Sequence, residues 1–444
     1  MMRLNTREIA ELAGGQLQGA QAEVVGMSHD SRLVTEGNLF AALPGERVDG
    51  HDWVAAAARA GAAAALVERR VDADLPQVIV ADVEKAMGAV ASGWRQRLDV
   101  TVIGITGSNG KTTVKEMLAA ILSAESETLA TAGNYNNEIG VPLTLARLDA
   151  SHRFAVVEMG ASRRGDIAYL AGLARPDIGL VTNAAPAHLE GFGSLEGVAR
   201  TKGEMFSALG SDGVAVINAD DAFAGLWHGL AAACRELTFG CREAADISGR
   251  LDGRRARIHT PDGEGEFDLP LPGMHSLYNA LAAFAAGHAL GLAPAVMARR
   301  LAGMDSLPGR LQVHEHPAGW RLVDDSYNAN PASLQAGLQV LVALQGRPWL
   351  VLGDMAELGE DSARLHAEMG RSARDLGVRR LWALGEASRA SVEAFGAGAQ
   401  HFKSLEALRA ALSDALEPGV NCLVKGSRSM GLERIVQSLI KEGV

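Results

Sequence analysis

Cysteine and aromatic residues are scarce in this chain of 444 residues. The only three cysteines, Cys234, Cys241 and Cys422, lack the spacing of a zinc site or of a C-x-x-C redox motif. We therefore expect free thiols in a reducing compartment. Aromatic residues make up 5% of the chain, whereas hydrophobic residues make up 48%. The cores are thus expected to consist of aliphatic side chains and closely packed, alanine-rich helices.

Long apolar runs and an excess of positive charge are also absent. The most apolar block, residues 54–67, contains Arg59 and is too short to cross a bilayer. Residues 1–8 lack the apolar core of a secretion signal, and Asn5 followed by Glu8 predicts a helix capping box instead. A formal net charge of −11 argues against general nucleic-acid binding. We expect a cytoplasmic protein that binds neither nucleic acid nor membranes.

The most informative motif is the segment Thr-Gly-Ser-Asn-Gly-Lys-Thr-Thr at residues 106–113. It follows a β-branched apolar run and precedes residues 114–122, where apolar side chains recur at helical spacing. Strand, glycine-rich loop and helix together form a phosphate-binding loop, because backbone N–H groups there point at bound anions. Ile105 stands where the standard pattern has its first glycine, so a plain glycine turn before a helix is the alternative interpretation.

This motif predicts binding of a nucleoside triphosphate. Lys111 can reach the β- and γ-phosphates, and the hydroxyl of Thr112 can hold Mg²⁺. The predicted phosphate-binding residues are Gly107, Ser108, Asn109, Gly110, Lys111, Thr112 and Thr113.

The order of predicted elements divides the α/β chain into three domains. Residues 1–98 form a small N-terminal α/β domain, residues 99–305 a central phosphate-loop domain, and residues 306–444 a C-terminal Rossmann-like domain. Alternating strands and helices in the second and third domains predict mostly parallel sheets covered by helices. Residues 254–271 are predicted to form a β-hairpin insertion in the central domain. Strands are predicted at residues 100–106, 154–158, 178–182, 213–218, 321–325, 349–352, 380–384 and 421–425.

Several polar residues follow predicted strands, where open parallel sheets bind ligands. Glu158 is placed to hold Mg²⁺, which prefers one or two carboxylates with phosphate oxygens and water; a surface acid is the alternative. His188 is a candidate metal ligand or anion contact, although a loop histidine is more often structural. Asn136 and Asn137 lie in an asparagine-rich loop whose amides suit sugar or peptide recognition, with an ordinary turn as the alternative.

Two later segments also combine charges and amides. Residues 324–331, Asp-Asp-Ser-Tyr-Asn-Ala-Asn-Pro, suit ribose hydroxyls or Mg²⁺-bound phosphates. Lys425 and Arg428 lie at the end of another predicted strand, where they can bind a substrate carboxylate. By composition alone Lys202 is an ordinary solvated helix lysine.

Taken in order, these segments resemble the Mur ligase family of peptidoglycan synthesis, and within it the MurF type. The resemblance covers nearly the whole chain. The phosphate loop alone is shared with other Mur ligases and with folylpolyglutamate synthases, whereas residues 324–331 and residues 352–359, Leu-Gly-Asp-Met-Ala-Glu-Leu-Gly, point to the MurF type. At His275-Ser276 the chain lacks the His-Asn of several sister ligases, as MurF-type sequences do.

The resemblance implies that the first domain binds UDP-N-acetylmuramoyl-tripeptide, the second ATP and the third the incoming D-alanyl-D-alanine. ATP would phosphorylate the C-terminal carboxylate of the tripeptide, and the amine of the dipeptide would attack the resulting acyl phosphate. Such a phosphoryl transfer needs Lys and Mg²⁺ to neutralise charge. A monomer is expected.

The resemblance also implies roles for individual residues. Lys111, Lys202 and His188 would be catalytic; Thr112 and Glu158 would bind one Mg²⁺, and His188 would help to bind a second. Lys202 resembles a lysine that is carbamylated in this family and so becomes a carboxylate-like metal ligand. The remaining implied contacts are Asn279 and Arg310 with the nucleotide, Asp325 with its ribose, Ser31 and Arg32 with the uridine nucleotide, Asn136 and Asn137 with the muramoyl-peptide, and Lys425 and Arg428 with the dipeptide carboxylate.

Two alternative functions stay open from the sequence. One is another amide ligase, either a sister Mur ligase or a folylpolyglutamate-synthase-like enzyme, although the first-domain segments argue against the folate option. The other is a phosphate-loop regulatory ATPase that hydrolyses ATP without acyl transfer. That function leaves the hairpin and the third domain without a purpose.

Overall fold

The computed structural model of the protein describes residues 1–45, 48–186, 189–269 and 273–441. The elements of the first domain are β1 (Arg3–Asn5), α1 (Thr6–Ala13), β2 (Gln16–Gln18), β3 (Glu23–Val25), β4 (Met27–Ser28), β5 (Leu39–Ala41), a 3-10 turn (Gly50–Trp53), α2 (Val54–Arg59), β6 (Ala64–Val67), β7 (Gln77–Ile79) and α3 (Val83–Arg95). The five-stranded sheet has the order β2-β7-β6-β5-β4, and β1 pairs with β3 in a separate sheet.

The capping box predicted at the start of α1 is confirmed. The Asn5 side chain accepts hydrogen bonds from the backbone N–H groups of Arg7 and Glu8, and the Glu8 carboxylate accepts from Asn5 N at 2.9 Å. These bonds satisfy donors that the first helical turn leaves free. Gly14, in the left-handed conformation, ends the helix.

The central domain is built on a nine-stranded sheet. Its elements are β8 (Thr101–Thr106), α4 (Lys111–Leu122), β9 (Thr128–Ala130), α5 (Gly140–Ala146), β10 (Phe154–Glu158), α6 (Asp166–Ala174), β11 (Ile178–Val181), α7 (Leu189–Phe192), α8 (Leu195–Ser207), β12 (Val214–Asn218), α9 (Ala224–Ala231), β13 (Arg235–Gly240), β14 (Ile247–Asp252), β15 (Arg255–Thr260), β16 (Gly263–Asp268), α10 (Met274–Ala289) and α11 (Pro294–Ala302). The strand order is β16-β15-β14-β13-β12-β11-β8-β10-β9.

Strands β8 to β14 pair in parallel through this sheet, and β15 and β16 are antiparallel at one edge. The predicted hairpin is therefore confirmed, but it continues the main sheet through β14, which the sequence did not predict. Alternate residues of β8 face opposite cores: Ile103 and Ile105 pack with α4 and α10, and Val102 packs with α6 and α8. Both faces of the sheet are thus covered.

The C-terminal domain carries a six-stranded sheet of order β17-β18-β22-β19-β20-β21, parallel except for β17. Its elements are β17 (Gln312–Glu315), β18 (Arg321–Asp325), α12 (Pro331–Ala343), β19 (Arg347–Gly353), a 3-10 turn (Gly359–Asp361), α13 (Ser362–Asp375), β20 (Arg380–Leu384), α14 (Arg389–Phe395), β21 (Ala399–Phe402), α15 (Leu405–Ala415), β22 (Val420–Lys425), a 3-10 turn (Arg428–Met430) and α16 (Glu433–Lys441).

The predicted α/β class with mostly parallel sheets is confirmed. Each sheet falls within one of the three predicted ranges, and the boundaries at residues 98 and 305 stay predictions. Among the described residues, no helix has the length and apolar character needed to span a membrane.

Candidate active site

A cleft of about 1070 Å³ lies between the central and C-terminal domains, at the carboxyl ends of their strands. Pockets at this edge of a parallel sheet are typical of ligand sites. Of the residues singled out in the sequence, the cleft is lined by Gly107, Ser108, Asn109, Gly110, Lys111, Thr112, Thr113, Asn136, Asn137, Glu158, Lys202, Asn279, Arg310, Asp325, Lys425 and Arg428.

Two of the predicted residues do not line this cleft, and a third cannot be placed. Ser31 and Arg32 do not line it; Arg32 is exposed in the first domain and forms an ion pair of 2.6 Å with Asp30. The hydrogen bond from Arg32 is the main cause that lowers the pKa of Asp30 to about 2. His188 lies outside the described residues.

The phosphate loop is a tight connection between β8 and α4. Gly107 and Gly110 have φ angles of 142° and 83°. Residues that carry a side chain rarely adopt such positive φ angles. A Cβ atom on Gly107 would lie 1.9 Å from the Thr182 hydroxyl, and one on Gly110 would lie 2.2 Å from Oδ1 of Asn279. Glycine is therefore required at both positions by conformation and by space.

Residues after β11 hold this loop from the neighbouring strand. The amide N–H of Ser108 donates to the Asn183 carbonyl at 2.9 Å, and the N–H of Asn109 donates to Asn183 Oδ1 at 3.0 Å. Thr182 Oγ1 donates to the Asn109 carbonyl at 2.6 Å. The sequence did not single out Thr182 and Asn183, although both lie where a strand meets the predicted site.

Lys111 begins α4 and turns back over the loop. Its ammonium donates to the Gly107 carbonyl at 2.7 Å. Loss of hydration lowers the pKa of Lys111, and the nearby Glu158 carboxylate partly opposes that shift. The positive charge thus lies inside the loop, where phosphate oxygens bind in sites of this kind.

Glu158 ends β10 beside the phosphate loop and is only 2% exposed. One carboxylate oxygen, Oε1, accepts a hydrogen bond from Asn136 Nδ2 at 2.8 Å. The other, Oε2, is buried without a hydrogen-bond partner among the described residues. A buried carboxylate oxygen is costly to leave unpaired, so this atom is free to bind a cation.

Lys202, on α8, is also only 2% exposed, which contradicts its composition-only interpretation as a solvated lysine. Burial lowers the pKa of Lys202 well below its ordinary value, and the charge of Lys111 lowers it further. Its ammonium lies 5.3 Å from the centre of the Phe192 ring. The sequence could not show this burial, because α8 also carries charged residues such as Glu196 and Arg200 that are exposed.

The C-terminal domain contacts the phosphate loop directly. Arg310 Nη2 donates to the Thr112 hydroxyl at 3.1 Å, and Asn330 Nδ2 donates to Asn109 Oδ1 at 2.7 Å. Asn330 belongs to the predicted segment 324–331 but was not singled out within it. Its side chain also caps α12 by accepting from the N–H of Ser333 at 2.9 Å.

Lys425 and Asp325 are register partners on neighbouring strands and form a buried ion pair of 2.5 Å. Burial lowers the pKa of Lys425, while Asp325 opposes the shift. The sequence assigned these residues to two different ligands, and those contacts stay predictions. In the structure each is the other's nearest charge partner.

Helix α10 supplies another wall of the cleft. Asn279 approaches Gly110, and burial lowers the pKa of His275 to about 4, with Lys425 as a second cause. The Tyr278 hydroxyl donates to Asp220 at 2.6 Å. Neither Asp220 nor Tyr278 was singled out by the sequence, since nothing in the linear pattern brings residues 58 positions apart together.

The donor set fits Mg²⁺ better than a metal held by protein alone. No group of three or more His, Cys, Asp or Glu side chains able to hold a metal occurs in the described ranges. Mg²⁺ typically uses one or two carboxylates and completes its shell with phosphate oxygens and water. The unpaired Oε2 of Glu158, beside a phosphate loop that carries Thr112, fits that requirement.

A phosphate loop beside a buried acid and a buried lysine, facing a second α/β domain, defines an enzyme of the nucleotide-dependent, phosphoryl-transferring class. Three family models match the chain: Mur ligase family, catalytic domain, at residues 23–100; Mur ligase middle domain at residues 105–287; and Mur ligase, glutamate ligase domain, at residues 309–428.

Relatives and solved structures match over almost the full length. The chain is 42% identical to UDP-N-acetylmuramoyl-tripeptide–D-alanyl-D-alanine ligase of Escherichia coli K12, with 100% of each chain covered. A MurF crystal structure from Acinetobacter baumannii superposes with a TM-score of 0.91 and 33% identity, covering 99% of both chains. MurF from Thermotoga maritima in complex with ADP gives a TM-score of 0.84 and 30% identity, covering 94% of this chain and 98% of that one. The chain belongs to the Mur ligase family.

Proposed function

We propose that this protein joins D-alanyl-D-alanine to UDP-N-acetylmuramoyl-tripeptide with hydrolysis of ATP to ADP and phosphate. The observation that carries the proposal is full-length similarity to MurF enzymes, combined with a cleft that unites a phosphate loop with charged residues of the C-terminal domain. Sister Mur ligases and folate-adding ligases are less favoured, because the nearly full-length matches at 30% identity or more are MurF-type enzymes. The cleft between two domains disfavours a simple ATPase switch.

Binding of ATP is the first part of the mechanism. The backbone N–H groups of residues 107–113 and the positive end of α4 would hold the phosphates, and Lys111 would neutralise charge on the γ-phosphoryl group. The MurF relative from Thermotoga maritima binds ADP. Asn279 and Arg310 line the same cleft and would contact the nucleotide.

Thr112 and Glu158 would hold one Mg²⁺, with Lys202 and His188 contributing to a second. Bound Mg²⁺ supplies charge neutralisation for the transferring phosphoryl group. The support for this assignment is the unpaired Oε2 of Glu158.

We also propose that Lys202 is carbamylated. Burial shifts this lysine toward the neutral amine, and a neutral amine attacks CO₂ to form an N–C bond with loss of one proton. The product carries a carboxylate-like group with two oxygens. That conversion replaces a buried amine, which would repel Lys111 and Mg²⁺ if it were protonated, with an anion that attracts them.

The chemistry has two steps. A carboxylate oxygen of the tripeptide attacks the γ-phosphorus, the bond to the bridging oxygen of ADP breaks, and an acyl phosphate forms. The dipeptide amine then attacks the acyl carbon, the C–O bond to phosphate breaks, and phosphate leaves as the amine loses a proton. The cleft would hold the reacting groups together and restrict water.

Coupled release of ADP across a panel of UDP-N-acetylmuramoyl peptides and D-amino dipeptides tests the proposal. We expect turnover only when the tripeptide and D-alanyl-D-alanine are both present. Turnover with free D-glutamate or a lone diamino acid, or ADP release without any acceptor, would overturn it. A cytoplasmic monomer is part of the same proposal, and sedimentation velocity tests the monomer.

A further inference from the structure

The ring of Tyr327 lies between two arginine side chains of the cleft, and the mechanism above gives it no role. The guanidinium carbon of Arg310 lies 4.1 Å from the ring centre, and that of Arg428 lies 5.6 Å from it. A guanidinium within about 6 Å of an aromatic ring is attracted by the negative face of the ring. One ring therefore contacts two cations from different segments of the chain.

The backbone of Tyr327 is fixed against the segment that joins the central and C-terminal domains. Tyr327 N donates to the Gly309 carbonyl at 3.2 Å. Gly309 has a φ of 69°, and a Cβ atom there would lie 3.2 Å from Tyr327 Cβ. Leu311 also has a positive φ, at 53°. This close turn leaves Arg310 over the ring.

The two arginines have different partners beyond the ring. Arg310 continues to the phosphate loop through its hydrogen bond to Thr112. The Arg428 side chain is 60% exposed, and its ion pair with Glu433 is long, at 3.7 Å. So long an ion pair on an exposed side chain contributes little, so the ring is the second contact that bears on the position of Arg428.

We propose that Tyr327 is a positioning residue that aligns Arg310 toward the nucleotide and Arg428 toward the carboxylate of the incoming dipeptide. Through one ring, the enzyme sets the geometry of two ligand contacts at once. The identity of the two ligands rests on the proposed function.

Steady-state kinetics of Tyr327→Phe and Tyr327→Leu test this role. The Phe variant keeps the ring, so we expect both KM values within about 1.5-fold of wild type. The Leu variant loses the ring, so we expect the KM for ATP to rise about 5- to 30-fold through the less exposed Arg310 and the KM for D-alanyl-D-alanine about 2- to 5-fold through the exposed Arg428. The KM for UDP-N-acetylmuramoyl-tripeptide should change less than about 2-fold. Tyr327→Met provides a second ringless variant if the Leu variant does not fold.

A double variant with Arg428→Gln separates positioning from a structural role. Arg428→Gln alone should raise only the KM for the dipeptide, and adding it to Tyr327→Leu should raise that KM little further. Arg428→Gln should leave the KM for ATP unchanged, both in the wild-type enzyme and in the Tyr327→Leu variant. Such coupling is a signature that a general loss of structure does not produce.

Three results would overturn the inference. They are an unchanged KM for either ligand in the ringless variants, an equal rise of all three KM values, or a Phe variant as impaired as the Leu variant. Failure of the proposed function is distinguishable, because wild-type enzyme would then release no ADP in response to D-alanyl-D-alanine.

Discussion

At the scale of single residues, burial gives two charged side chains of the cleft unusual properties. Glu158 and Lys202 are each 2% exposed, so neither can rely on water to stabilise its charge. Glu158 retains a carboxylate oxygen without a hydrogen-bond partner among the described residues. Burial lowers the pKa of Lys202, which favours the neutral amine. Both residues are thus suited to chemistry that a solvated side chain would not support.

Replacement of Lys202 tests whether it acts as a carbamate. Lys202→Ala and Lys202→Arg should each lower kcat by at least about 10²-fold, because neither can supply a carboxylate-like group. Short carboxylates should restore activity to the Ala variant only, since the Arg side chain still fills the space. The same kcat for Lys202→Arg and wild type would contradict the carbamate.

His275 should make stability depend on pH. Its pKa is about 4 in the folded protein and about 6.5 when unfolded, so the unfolded chain binds more protons between those values. Unfolding free energy should therefore fall as the pH drops from 6.5 to 4, by at most about 3 kcal/mol. Chemical denaturation of wild type and His275→Gln measures this, and equal pH slopes for the two proteins would refute it.

The position of Glu158 was predictable because strand ends carry ligands in parallel sheets. The burial of Lys202 and the stacking of Arg310 and Arg428 on Tyr327 were not, because both depend on tertiary contacts. Residue type and spacing therefore predicted where phosphate binds. They did not predict which side chains surround that site or how those side chains contact one another.

At the scale of elements, the phosphate loop depends on a glycine at the start of α4. Gly110→Ala should lower the unfolding free energy by about 1–3 kcal/mol and raise the KM for ATP, because the new Cβ would collide with Asn279. Gly172→Ala is the matched control, since a Cβ on that helical glycine meets nothing within 4 Å. We expect the control to be neutral or up to about 1 kcal/mol more stable. Thermal unfolding and the KM for ATP are measured for both variants. Equal stability and equal KM for Gly110→Ala and Gly172→Ala would contradict the requirement for glycine at position 110.

The hydrogen bond between Asn330 and Asn109 should contribute to catalysis rather than to folding. Asn330→Ser keeps a capping side chain on α12 but cannot provide the amide donor, so kcat/KM should fall about 3- to 10-fold at nearly unchanged unfolding free energy. Asn109→Ala should have a similar effect, and the double variant should be little worse than either single one. Fully additive losses would show that the two amides act independently.

The long, buried strands were predicted because their β-branched runs are distinctive; β8, β10, β11 and β12 all match within two residues. The short strands β9 and β21 were missed, since three or four residues give little pattern. Strands β13 and β14 were missed because exposed polar residues interrupt them. Pairing with a neighbour, rather than sequence, decides such segments.

At the scale of the whole molecule, the cleft needs two domains. The central domain supplies the phosphate loop, Glu158 and Lys202, and the C-terminal domain supplies Arg310, Asn330 and the pair of Lys425 with Asp325. Separate parts of the chain therefore meet at the place where two substrates have to react. We propose that ATP activates the carboxylate of the tripeptide in this cleft.

Transfer of ¹⁸O from the carboxylate to phosphate reveals whether this activation takes place. The tripeptide would be labelled in both oxygens of its C-terminal carboxylate and incubated with ATP and D-alanyl-D-alanine. An acyl phosphate requires that one labelled oxygen leaves in inorganic phosphate and the other stays in the new amide carbonyl. We predict one ¹⁸O atom in each phosphate released with product, measured by the ³¹P isotope shift or by mass spectrometry. Product formation with unlabelled phosphate would contradict activation of the carboxylate by ATP.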